Sequence, residues 1–161
     1  MNLGTFIVGV IAVGICVLPF VLMVGGRKKK EKKLLLSVSA IAKEHNCKIS
    51  QYEFCDEFVI GLDEIANFLF FFRNSNIKEM SEQINLAEIK TCKMKRTGHY
   101  DNNREGGNST IEKLELQLSY IDKNKTDLLL PFFNEEEDVQ MNGEIQVIEK
   151  WNEIVNKRLK P

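Results

Sequence analysis

Residues 3–26 contain no charged side chain, and Arg27-Lys28-Lys29-Lys30-Glu31-Lys32-Lys33 follows immediately. About 20 apolar residues at 1.5 Å rise cross a hydrocarbon core of roughly 30 Å, so the run is long enough to span one. A helix satisfies its own backbone hydrogen bonds, which lipid cannot do. The pattern therefore predicts a single transmembrane helix over 1–26. It further predicts a basic juxtamembrane segment and amphipathic connecting helix over 27–47, and a folded domain over 48–161. The six cations of the flank, Arg27, Lys28, Lys29, Lys30, Lys32 and Lys33, belong on the cytoplasmic side of a span. The expectation is a single-pass integral membrane protein with its N-terminus out and its domain in the cytoplasm. A cleaved signal peptide fits less well, because the first residues are uncharged and the apolar run exceeds the usual 7–15 residues.

The chain balances 22 Lys+Arg against 23 Asp+Glu, but the balance is uneven along its length. With the basic flank set apart, residues 34–161 hold 16 basic and 22 acidic side chains, a net charge of about −6. An acidic domain without a basic, aromatic-laced face speaks against nucleic acid as a partner. Within the apolar run, Thr5, Gly9, Ala12 and Cys16 share a helical face on which a second helix could pack. Cys16, Cys47, Cys55 and Cys92 show no CxxC and no Cys/His metal spacing, so they read as free thiols in a reducing compartment.

Beyond the flank, Leu34, Val38, Ile41 and His45 recur at helical spacing, the mark of a short amphipathic helix docking on the domain. The period then falls to two. Tyr52 and Phe54 alternate with polar residues, Phe58 to Leu62 forms an apolar run, and Phe68 to Phe72 forms another after a polar turn. That order predicts a β-hairpin, and five successive bulky residues need cover on both faces. Residues 74–81 read as a loop, and 98–110, with Gly106-Gly107, as a second one. Leu114, Leu116, Leu118 and Tyr120 alternate cleanly with Glu115, Gln117 and Ser119, predicting a strand. Another follows over 127–133, where Pro131 suits an edge. Ile148, Trp151, Val155 and Leu159 mark an amphipathic helix over about 143–159.

About six strands in hairpin order, closed by one C-terminal helix with a central Trp151, resembles the pleckstrin-homology-like fold. The segments Ile60-Gly61-Leu62-Asp63 and Leu86-Ala87-Glu88-Ile89 resemble those of small membrane-anchored bacterial proteins of unknown function that carry such a domain. The resemblance implies an α+β chain: one transmembrane helix, then an antiparallel β-barrel or sandwich capped by the C-terminal helix, in a bacterial inner membrane. It also implies a test of the fold's lipid-binding mode, which grips phosphoinositides with cations near the first hairpin loop. Here that loop is Cys55-Asp56-Glu57, which repels phosphate, so phosphoinositide binding is not expected.

Neither catalytic, cofactor-binding nor metal-ligating residues emerge. His45 and His99 have no evident catalytic neighbours, no Gly-rich loop ends in Gly-Lys-Ser/Thr, and Glu135-Glu136-Glu137-Asp138 lacks EF-hand spacing. Lys90, Lys93, Lys95 and Arg96 read as a solvated strand face. What remains is a non-catalytic, membrane-tethered cytoplasmic module that docks a protein partner, by strand addition at an edge such as 127–133 or beside the final helix. The alternatives are an accessory subunit held through its transmembrane helix at Thr5, Gly9, Ala12 and Cys16, or an enzyme with an unrecognised site.

Overall fold

The computed structural model describes residues 28–75, 77–100 and 109–159. Residues 28–44 form a helix, α1. Seven strands follow: β1 (Gln51–Cys55), β2 (Phe58–Asp63), β3 (Phe68–Asn74), β4 (Glu79–Asn85), β5 (Ile89–Tyr100), β6 (Ser109–Tyr120) and β7 (Leu128–Asn134). A 3₁₀ turn, Leu86–Glu88, separates β4 from β5, and a second helix, α2 (Glu144–Asn156), ends the order. The chain divides into two units, Met1–Lys33 and Leu34–Pro161, and the second holds both sheets and α2.

All strand pairs are antiparallel, in a four-stranded sheet β1-β2-β3-β4 and a three-stranded sheet β5-β6-β7. Their apolar faces meet in one core. Phe71 of the first sheet stacks on Phe132 of the second at a centroid distance of 5.8 Å, and Phe58 packs tilted against the same ring at 4.6 Å. Leu114, Leu116 and Leu118, the alternating residues of β6, are fully buried there. Trp151, Ile148 and Val155 put the apolar stripe of α2 onto the same core.

The aromatic run of β3 is covered on both faces, as five adjacent bulky side chains require. Leu69 and Phe71 enter the main core. Phe70 and Phe72 point the other way and pack, with Val59, against Leu34, Val38 and Ala42 of α1. The helical spacing of those three residues places them on one stripe.

The β2–β3 connection depends on Asp63. Its Oδ1 accepts the N–H groups of Ile65 and Ala66, both at 2.9 Å, and its Oδ2 accepts that of Lys48 at 2.6 Å. These bonds, that from Ala66 first, hold its carboxyl below the ordinary carboxylate value despite burial. A depressed folded-state pKa confers stability that is complete above the unfolded value of about 3.9 and is lost as pH falls through the depressed one. Asp63→Asn should therefore lower the urea midpoint at neutral pH. The gap from wild type should close as pH falls below the ordinary carboxylate range and the native carboxyl itself protonates.

Three sequence expectations are corrected. The sheets do not close into a barrel, so the pleckstrin-homology-like barrel expected from element order does not stand. The chain turns at Leu86–Glu88, and side-chain bonds described below, not a continuous ladder, bridge the sheets. The single-pass integral assignment with a cytoplasmic domain does not stand either. Among the described residues no helix is long and apolar enough to cross a membrane. α1 and α2 each bury one stripe and present polar side chains elsewhere, unlike a span, which is apolar all round. The run 3–26, with Thr5, Gly9, Ala12 and Cys16, lies outside the described residues, as does Arg27. Finally, residues 98–100 and 109–110 are strand, not loop. β5 and β6 pair out to Tyr100 and Ser109. Gly98 permits this at a bulge, since a Cβ there would lie 2.0 Å from the Thr110 carbonyl oxygen.

Candidate functional site

Two open sheets leave four outer strands, β1, β4, β5 and β7, whose outward backbone groups need partners or solvent. At the middle of β7, Pro131 has no N–H, and its carbonyl accepts Arg73 Nη1 at 3.2 Å. Asn134 at its end donates its N–H to Asp138. The edge foreseen over 127–133 is thus blunted. On β5 the Cys92 carbonyl accepts Asn156 Nδ2 at 2.9 Å, and Arg96 pairs with Glu149 at 3.0 Å, so α2 lies along that strand. On β1 α2 holds a side chain and not the backbone: the Glu53 carboxylate accepts Trp151 Nε1 at 2.9 Å and pairs with Lys150.

β4 differs. Its inner side pairs with β3 through all seven residues. On its outer side no backbone group from Glu79 to Asn85 bonds to another element among the described residues. The pairing register sorts its side chains. Met80, Glu82 and Ile84 stand opposite Arg73, Phe71 and Leu69, and so share the core-side face. Ser81 and Gln83 stand opposite Phe72 and Phe70, on the face that α1 covers. Glu82 is half-buried, and its carboxylate has no ion-pair partner among the described residues.

A second feature is an acidic recess of 340 Å³ between the β1–β2 turn and the β7–α2 connection. Phe132 is part of its wall, and Asp56, Glu57, Glu137, Asp138 and Glu144 are its charged residues. Three of these carboxylates serve the local structure. Asp138 holds both oxygens 2.8 Å from Arg73 Nη2, and Glu144 accepts the Asn142 N–H. A hydrogen bond from Ser75, then bonds from Asn134 and the Arg73 charge, hold the Glu137 carboxyl below its ordinary value. Among the described residues no group of three or more His, Cys, Asp or Glu could hold a metal ion.

Burial pushes the thiols of Cys55 and Cys92 up to about 12, with Glu144 adding to the shift at Cys55. Both stay protonated at neutral pH and are poor nucleophiles. His45 is exposed just beyond the end of α1, and the backbone of His99 lies in β5. Lys28, Lys29, Lys32 and Lys33 are exposed in the first turns of α1. On β5, Lys90, Lys93, Lys95 and Arg96 are exposed, with Lys95 paired to Glu115 at 3.5 Å. Asp56 and Glu57 form the first hairpin turn, with Asp56 at φ 35°.

The sequence reading missed β4, placing its first half in a loop. The signal was present: Met80 and Ile84 sit at even spacing, but Glu82 occupies the apolar position between them. The fold and its edges thus define an α+β protein of two open antiparallel sheets with one outer strand, β4, to which neither α-helix nor the facing sheet bonds among the described residues. No protein-family model, curated protein or solved structure matches the chain.

Proposed function

We propose that the domain is a non-catalytic docking module that takes an extended segment of a protein partner as a further strand on β4. The bare outer backbone of β4 carries the reading. Strand addition draws its affinity from main-chain hydrogen bonds, and alternate residues along the seven of β4 direct theirs outward. Two of the other outer strands support this by contrast, since Arg73 and Asn156 engage backbone carbonyls on β7 and β5, while on β1 α2 holds the Glu53 side chain.

A photo-crosslinking amino acid placed singly at Ser81, Lys93 or Leu129 in the full chain, in its own cell, tests the choice of edge. A discrete adduct from position 81, and none from 93 or 129, is the expected result. Adducts from 93 or 129 with none from 81 would move the partner to another edge and end the β4 reading.

A further inference from the structure

Resting on the β4 docking reading, we infer that the partner's strand places a basic residue opposite Glu82, with apolar residues two positions to either side. The inference comes from the core-side face of β4, which reads Met80, Glu82, Ile84. Met80 packs against the main core and Ile84 is buried within it. An incoming strand must continue that face with apolar side chains at the two flanking positions, because alternate residues point the same way. The central position is different. Glu82 stands directly opposite Phe71, which offers it no charge. Its diagonal neighbour is Arg73, but that guanidinium is already bonded to Asp138 and the Pro131 carbonyl. β4 holds two carboxylates, Glu79 and Glu82, and no cation.

A cation on the partner, facing Glu82 across the new ladder, satisfies that carboxylate where the fold does not. Cross-strand pairs of opposite charge stabilise, and like charges directly opposite destabilise. The same feature sets β4 against a second copy of itself. The antiparallel register that uses all seven residues puts Glu82 opposite Glu82 and joins no opposite charges. An inward-pointing charge on an edge is a recognised guard against such self-pairing. The occupant is therefore a heterologous segment, extended, apolar-x-basic-x-apolar in pattern.

The test uses the full chain and two capped peptides, Thr-Val-Thr-Lys-Thr-Val-Thr and its counterpart with Glu for Lys. Binding is read by titration and located by amide hydrogen exchange. The expected result is slowed exchange at alternate residues of 79–85 with the Lys peptide, and about tenfold weaker binding of the Glu peptide. Glu82→Lys should reverse the preference, and Glu82→Gln should bring the two peptides close to equal. Native emission from Trp151, the one tryptophan, checks that each variant is folded. Equal binding of both peptides with protection at 79–85 would overturn the charge rule and leave the docking reading intact. No protection at 79–85 from either peptide would overturn both. Protection that rises with protein concentration alone would assign the edge to a second copy and overturn the heterologous partner.

Discussion

Trp151→Ala should lower the free energy of unfolding by about 3–5 kcal/mol, the range for deleting a large aromatic from a packed core. Trp151 is fully buried, and it is the point at which α2 engages both the core and β1. Truncation removes the largest contact surface on the helix and the Nε1 donor to Glu53. Glu53 then keeps only Lys150, at 2.8 Å on a half-exposed site. Trp151→Phe separates the two contributions, because it keeps most of the volume and loses the hydrogen bond. It should cost about 1–2 kcal/mol, chiefly that bond and a small residual void. Urea unfolding followed by far-ultraviolet circular dichroism is the measurement, since both variants lack the fluorophore. A loss under 1 kcal/mol for the alanine variant would mean that α2 is not fastened through this residue.

Arg73→Met should cost a comparable 3–5 kcal/mol, for the opposite reason. The side chain is only 2% exposed, yet it carries a charge and bridges two sheets. Its Nη2 lies 2.8 Å from both Asp138 oxygens, Nη1 donates to the Pro131 carbonyl, and Nε has no partner. Methionine fills much of the volume but leaves the Asp138 carboxylate with the Asn134 N–H and no cation, and removes the Arg73 donor from the Pro131 carbonyl. The penalty is therefore one of stranded polar groups, not of lost packing. Asp138→Asn removes the stranded charge, so Arg73→Met should cost measurably less in that background. A coupling of about 0.5–3 kcal/mol in a double-mutant cycle is the expected signature. Hydrogen exchange should also quicken across residues 135–142, whose Asp138 is tied to β3 by this guanidinium. Strict additivity would show that the two side chains are neighbours and no more.

The sequence disclosed elements more readily than their assembly. Leu114, Leu116 and Leu118 announce β6 because a half-buried strand alternates and nothing interrupts theirs. Ile148, Trp151 and Val155 announce α2 for the same kind of reason at a longer period. The demand for two-sided cover at Phe68 to Phe72 was legible too, and α1 answers it. What stayed hidden depends on tertiary context. The end of β5 was unreadable because Thr97, Gly98 and His99 carry no apolar pattern, and cross-strand pairing with β6 alone makes them extended. Openness of the sheets was equally hidden. Strand counting does not distinguish a closed ladder from sheets joined by Arg73, Asn156 and Trp151, whose hydrogen bonds span 58, 64 and 98 residues. The edge itself hid behind Glu82, a charge at a position that periodicity assigns to an apolar residue. The same charge gives the proposed site its selectivity.

The pairing of α1 with Phe70 and Phe72 also has a bearing on biosynthesis. Translation delivers Leu34, Val38 and Ala42 some thirty residues before the aromatic run they shelter. When Phe70 and Phe72 leave the ribosome their cover is already out. A gene fragment started after α1 would leave Phe70 and Phe72 bare, and its product would belong in the insoluble fraction.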